Sequence, residues 1–294
     1  MAQRALTASA IVGVFLLMVL GGLVSATGSG LGCGDEWPRC NSRWIPSFDS
    51  PEVFWEWLHR LVAAITGLLV LGAGLVAWRR SPALAAGALV LLAVQVVLGA
   101  ITVRLELPPA VSTAHLAVGT ALFAVLIALF VVQSPSASPT PAAAGGPPLP
   151  LGLLGAAALA TFLQMVLGAY VRHIGAGLAC PHPIVCWPSE YLSVTVHFLH
   201  RLMALVVLGL VHAAAVRLRR LAGEPGLRRA GLLALVLVVV QIGLGILSVQ
   251  TLLQPHVTTT HLAVALLLLG TLVYAYTHVA LRTRPQPAPL RAEL

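Results

Sequence analysis

EWLHRLVA at residues 56–63 returns as HFLHRLMA at residues 197–204, 141 positions later, with a His-Arg pair at the same register in each copy. Outward from this pair the neighbouring stretches repeat as well, and in the same order. LGGLVSATGSGLGC (20–33) answers to LGAYVRHIGAGLAC (167–180), QVVLGAITV (95–103) to QIGLGILSV (241–249), and HLAV at His115 to HLAV at His261, with offsets that stay between 141 and 147 residues. Any two apolar stretches share Leu, Val and Ala. Shared Cys, Gln and His at one register are not expected by chance, so the chain reads as a duplication. Between the copies, SPSASPTPAAAGGPPLP (134–150) has the Pro, Ala, Ser and Gly bias of a linker. It divides the chain into residues 1–133, a linker at 134–150, and residues 151–294.

Each copy is written for a lipid solvent. Of 294 residues 59% are hydrophobic and 9% charged, a balance that ordinary soluble domains do not approach. Apolar runs of about 20 residues, the length that crosses a hydrocarbon core of roughly 30 Å, fall near 8–26, 56–78, 83–103, 109–132, 150–172, 191–217, 229–249 and 256–281. The first is no cleavable signal peptide, because its apolar stretch is long and the glycine-rich segment after it belongs to the repeat. The expected fold is therefore an all-α integral membrane protein of eight transmembrane helices, arranged as two four-helix bundles. Parallel repeats of four helices start and finish on one side, so a pseudo-twofold axis along the membrane normal can relate them.

A net charge of +8 would suit nucleic acid, but the placement of the basic residues, all seventeen of them Arg, follows the membrane. Arg4, Arg79, Arg80, Arg217, Arg219, Arg220, Arg228, Arg229, Arg282, Arg284 and Arg291 fall on one side. Arg39, Arg43, Arg104 and Arg172 fall on the other, with most of the carboxylates (Asp35, Glu36, Asp49, Glu52, Glu106 and Glu190). Both termini are thus expected in the cytoplasm. Cys33 and Cys40, and Cys180 and Cys186, then lie in outward-facing loops, where an oxidising compartment lets two local disulfides persist. A zinc site would want tighter CxxC spacing and a reducing compartment.

Ionisable residues in a bilayer are expensive and hence functional candidates. The repeat selects four of ten histidines: His59, His115, His200 and His261. Helices two, four, six and eight all begin at the outer surface under this topology, and each of these histidines lies within about the first ten residues of its helix, about 15 Å of rise. Two imidazoles at similar depth on different helices can approach the two faces of one flat macrocycle, the arrangement of bis-imidazole heme ligation. His197 and His200 are one turn apart on one face and cannot grip opposite faces of one iron. Repeat register selects His200, since it aligns with His59. Arg60 and Arg201, at the depth of the heme, would either meet its propionates or snorkel to the outer surface. His173, His182 and His256 are expected in outer loop structure, and His212 and His278 at solvated cytoplasmic helix ends.

The copies differ where Glu56 faces His197 in the alignment. An acid beside a heme edge can position water, relay protons or stabilise developing positive charge, which would make the first half reactive and the second an electron store. Glu56 would otherwise favour the positive end of its helix or pair with Arg60.

Taken together, GSGLGCGDEWPRC with Cys33 and Cys40, EWLHR with Glu56 and His59, TAHLAVG with His115, the Cys180–Cys186 pair, HFLHR with His200 and TTHLAV with His261 resemble the heme A synthase family across residues 10–280. The resemblance implies a prokaryotic plasma-membrane enzyme of cytochrome oxidase assembly that oxidises a ring methyl of heme O to the formyl group of heme A. It implies heme b resident between His200 and His261, heme O received as substrate between His59 and His115, and Glu56 acting in the oxidation. It further implies heme O synthase as the donor of substrate, a membrane electron donor that the sequence does not identify, and activity or heme transfer as a role for Cys33 and Cys40. A homo-oligomer is compatible with the lipid-facing surfaces. The competing reading is a di-heme membrane cytochrome that only passes electrons from quinol, for which the same four histidines would serve.

Overall fold

The computed structural model describes residues 2–134, 149–182, 184–221 and 225–283. The greater part of the linker expected at 134–150, and Arg284 and Arg291 of the charge argument, lie outside them. Among the described residues eight helices are each long and apolar enough to cross a membrane: α1 Ala2–Ala26, α2 Pro51–Ala77, α3 Pro82–Arg104, α4 Pro109–Val132, α5 Leu151–His173, α6 Leu192–Arg219, α7 Pro225–Gln250 and α8 Pro255–Arg282. No strand occurs among the described residues.

The helices run past the apolar runs at several ends, and the reason is visible in the residues. Hydropathy reports where lipid is met, whereas a helix starts where backbone geometry permits. Proline opens α2, α3, α4, α7 and α8, because its fixed φ suits the first helical position and its missing N–H would have no partner there. So α2 begins at Pro51 and not at 56, with Glu52 in its first turn, and α7 begins at Pro225 and not at 229. α1 reaches back to Ala2, through the polar residues Gln3 and Arg4.

Contacts between helices close two rings. α1 packs on α2, α2 on α3, α3 on α4 and α4 back on α1; α5 to α8 close in the same sequence. The rings meet because α4 and α8 pack on each other and each also touches both α1 and α5. Small residues permit these approaches, as interhelical packing in a membrane requires: a Cβ at Gly22 of α1 would stand 2.7 Å from Leu262 of α8. The central core, with Val14, Val70, Leu126, Ile127, Met165 and Leu266 among its members, draws on both rings at once. Large side chains elsewhere, such as Leu68, Val90 and Val239, remain exposed on the flanks of α2, α3 and α7, where lipid is their solvent.

The C-terminal ends of α1 and α5 turn alike. Gly28 and Gly175 follow at φ +72 and +71, a left-handed conformation that costs a residue with a Cβ far more than glycine. A single 3-10 turn succeeds each, Ser29–Leu31 and Ala176–Leu178, and Arg172 then ties the two ends together by donating to the Ser25 carbonyl at 2.7 Å.

Candidate functional site

The four repeat-selected histidines sit at matched positions. His59 is eight residues beyond the first residue of α2 and His200 eight beyond that of α6, about 12 Å of rise; His115 and His261 are each six beyond the starts of α4 and α8, about 9 Å. Each ring rests on a glycine of the preceding helix. A Cβ at Gly21 of α1 would meet Cε1 of His59 at 3.0 Å, at Gly99 of α3 that of His115 at 3.2 Å, at Gly168 of α5 that of His200 at 2.8 Å, and at Gly245 of α7 that of His261 at 3.3 Å. One turn before the glycine, three of these four helices carry a glutamine. The amide nitrogen of Gln95 lies 3.3 Å from His115 Nε2, that of Gln241 3.2 Å from His261 Nε2, and that of Gln164 3.5 Å from His200 Nε2 while it donates to the His200 carbonyl at 2.9 Å.

A cavity of about 1430 Å³ is lined by all four histidines, by these glycines and glutamines, and otherwise largely by apolar side chains. Within it His59 lies in electrostatic reach of His115, and His200 of His261. The Nδ1 atoms of all four are buried without a hydrogen-bond partner, a state that is costly unless another ligand completes it. Among the described residues no group of three or more His, Cys, Asp or Glu is placed to hold a bare metal ion. Two imidazoles in each half, an apolar cavity and no third protein donor fit a metal that arrives with its own equatorial ligands, which is what a heme is. The donor set fits the group.

Above the cavity the two cysteine pairs form disulfides, Cys33–Cys40 and Cys180–Cys186, and no free cysteine occurs among the described residues. Cys33 and Cys40 are fully buried against Val53 and Trp57. Glu56, only 3% exposed, joins this loop to α2. Its Oε2 accepts from the Cys33 backbone N–H at 2.7 Å, and its Oε1 pairs with Arg60 Nη2 at 2.5 Å. Arg60 Nη1 in turn donates to the carbonyls of Glu36 at 2.8 Å and Arg39 at 2.6 Å, inside the disulfide loop. Arg201 does the corresponding work in the second half, donating to the carbonyls of His182 and Cys180, both at 2.8 Å. Both guanidinium groups line the cavity. The pairing of Glu56 with Arg60, one of the two readings left open by the sequence, is present alongside the position of Glu56 on the cavity wall. His197, at the matching position, is buried and reaches the Ala176 backbone.

In the same loop Glu36 accepts from the Ser42 hydroxyl at 2.9 Å and the Ser42 N–H at 2.6 Å. These bonds hold its carboxyl below the usual carboxylate range, with Arg39 and Arg60 adding to the effect.

Two histidines are placed otherwise than expected. His173 closes α5 and lines the cavity, and His256 lies in the first turn of α8, so neither belongs to a loop. His182 is in the loop, where its Nδ1 accepts from Val185 N–H at 2.9 Å. The sequence assigned no site role to these glycines and glutamines, although Gln95 and Gln241 recur in the repeat and a further signal existed: LMVLG (17–21), QVVLG (95–99), QMVLG (164–168) and QIGLG (241–245) place Leu-Gly at one register on α1, α3, α5 and α7. A second recurrence is conformational. Glu106 and Leu107, before α4, and Leu252 and Leu253, before α8, all take positive φ, and they press Leu107 onto Gly30 and Leu253 onto Gly177 in the cavity wall.

The sequence pattern of the cytochrome oxidase assembly protein family matches residues 4–273. Similar relatives carry the name heme A synthase. That of Geobacillus kaustophilus is 33% identical over 97% of this chain and 94% of its own. That of Geobacillus thermodenitrificans is 32% identical over 94% and 91%, and that of Symbiobacterium thermophilum 34% identical over 80% and 81%.

Proposed function

Because this chain belongs to the family of cytochrome oxidase assembly proteins, we propose that it is the multi-pass membrane oxidoreductase that converts heme O to heme A, oxidising a ring methyl to a formyl group. The observation that carries the reading is the set of four histidines on one cavity, each with a buried and unpartnered ring nitrogen. The duplicated site gives two places for heme. In this reading His200 and His261 hold a resident heme b, and His59 and His115 receive heme O. Residues 1–133 and 151–294 form the two halves, related by a pseudo-twofold axis, and both termini face the cytoplasm. The disulfide loops then face outward from a prokaryotic plasma membrane, and heme O synthase is the source of substrate.

The asymmetry of the copies supports this division of labour, since the carboxylate stands only in the first half and a histidine replaces it in the second. Bound heme supplies the redox chemistry that no side chain here possesses. The residues supply the setting. His59 and His115 orient the substrate between two imidazoles. Arg60 Nε, buried and without a partner, is the donor left to meet a propionate after its other nitrogens have fastened the loop. Glu56, its two oxygens fixed by Cys33 N–H and Arg60, holds negative charge in a site of low dielectric, where it stabilises positive charge developing on the substrate and orients water. Gly21, Gly99, Gly168 and Gly245 seat the four imidazoles, and Gln164 ties α5 to α6 through the His200 carbonyl.

The test is conversion. Purified protein supplied with heme O and a reductant yields a product with the formyl-shifted absorption of heme A. Protein that binds two hemes and cycles their oxidation state without altering heme O would be an electron-transfer cytochrome, and the proposal would fail.

A further inference from the structure

The copies part company at one further place. Repeat register sets Arg172 and His173 of α5, in LGAYVRHIGAGLAC (167–180), against Ser25 and Ala26 of α1, in LGGLVSATGSGLGC (20–33). The second copy thus carries a guanidinium and an imidazole where the first has a hydroxyl and a methyl group, and both reach towards the first half. Arg172 donates to the carbonyl of Ser25, its own counterpart in the repeat, at 2.7 Å, so the pair lies where the two rings of helices meet. His173 lies in electrostatic reach of His115. Both side chains line the cavity. Arg172 is half-buried, and among the described residues no carboxylate pairs with it. A cation withdrawn from water is costly until an anion joins it.

The first half brings a third group to the same wall. Ser112 lies on α4 one turn before His115 and on the same face. It is 7% exposed and lines the cavity, and its Oγ is buried without a hydrogen-bond partner. Its counterpart in the second half, Thr258, has a hydroxyl that is already engaged with the carbonyls of Gln254 and Pro255.

Resting on the assignment of the first histidine pair to heme O, we propose that Arg172, His173 and Ser112 form a carboxylate subsite, through which the second half of the chain holds a propionate of the substrate received between His59 and His115. Guanidinium, imidazole and hydroxyl can all donate, and the guanidinium adds a fixed positive charge, a set that a carboxylate fits. A neutral or cationic group would leave Arg172 unmatched. Heme O carries two propionates, of which Arg60 on α2 is left to meet one and Arg172 on α5 takes the other. The first site is then completed by both copies. Ser25 and Ala26 offer the second site nothing comparable, so the subsite belongs to the substrate and not to the resident heme.

The experiment separates the two sites and masks the carboxylates. Full-length H200A/H261A protein keeps the first pair of histidines and H59A/H115A protein the second, and each is titrated in detergent with hemin and with hemin dimethyl ester. With the first pair, hemin is expected to bind more tightly than the diester. R172M and S112A should each weaken hemin about tenfold and leave the diester nearly unchanged. With the second pair, neither substitution should move either affinity. A loss that falls alike on hemin and diester would mark a structural role and overturn the inference, as would a loss confined to the second pair. If R172M fails to fold without its bond to Ser25, S112A decides, because its hydroxyl bonds nothing in the fold: an S112A protein that keeps the full preference for hemin overturns the inference. Failure of both backgrounds to bind hemin would instead overturn the heme assignment on which it rests.

Discussion

Replacing Gly168 by alanine is the sharpest perturbation of the seating of the histidines. The added Cβ would stand 2.8 Å from Cε1 of His200, whereas carbon atoms settle at about 3.5–4.0 Å. The ring must therefore retreat by at least about 0.7 Å, beyond the roughly 0.5 Å within which a ligand constellation must be held. At Gly245 the corresponding contact is 3.3 Å, and a retreat of about 0.2 Å suffices. Although both glycines line the same cavity, the expected outcomes differ. G168A lowers heme affinity at the second site by ten- to a hundredfold, and G245A leaves it nearly unchanged. Gly21 and Gly99, at 3.0 and 3.2 Å, fall between them in that order at the first site. Alanine is favoured over glycine inside a helix by about 0.5–1 kcal/mol, so the fold is not the casualty. The assay is the heme-to-protein ratio and the low-spin absorption spectrum of purified protein, with thermal melting of the heme-free form as control. Equal heme retention by G168A and G245A would refute the seating argument, and so would a heme-free G168A that melts well below the wild type.

The loop closed by Cys33 and Cys40 offers three more measurements. E56Q retains an oxygen for the Cys33 N–H but loses the charge, so conversion of heme O is expected to fall by about a hundred- to a thousandfold while heme content, measured after extraction, stays at the wild-type value. Reduction of Cys33–Cys40, or C33S with C40S, frees the loop that positions Glu56. Turnover should fall on the order of a hundredfold, and hydrogen exchange at residues 33–40 should quicken with heme binding between His200 and His261 intact. The third concerns pH. The folded pKa of Glu36 lies below its ordinary value of 4.5, so its bonds to Ser42 contribute fully above that value and are lost as pH falls through the folded one. With a phosphine reductant, which needs no thiolate, the ratio of the wild-type rate of opening Cys33–Cys40 to that of E36Q is expected to rise on acidification below pH 4.5.

What the residues announced and what they concealed divide along a physical line. The eight spans were legible because lipid demands apolar length, and the four histidines because duplication set Cys, Gln and His in register. Helix starts were misjudged at Pro51 and Pro225, since hydropathy is silent about a proline that opens a helix in a polar turn. Gly21, Gly99, Gly168 and Gly245 could not be given a role, because a glycine acquires one only when the ring packed on it is known. The hydrogen bonds of Arg60 and Arg201 were hidden for the same reason: their partners are loop carbonyls, which every residue possesses and no sequence distinguishes. His173 read as a loop residue because the apolar run stops at Arg172, yet the backbone continues one residue further and turns that ring into the cavity wall.

The packing of α4 on α8, the helices that bear His115 and His261, has a bearing on how such a molecule can change. Two pairs of histidines share one cavity, and one member of each pair stands on the helices that pack together, so neither pair can be remodelled in private. A bulkier residue admitted where α4 meets α8 displaces a ligand of either pair, which confines specialisation to positions away from that contact, such as Glu56 on α2.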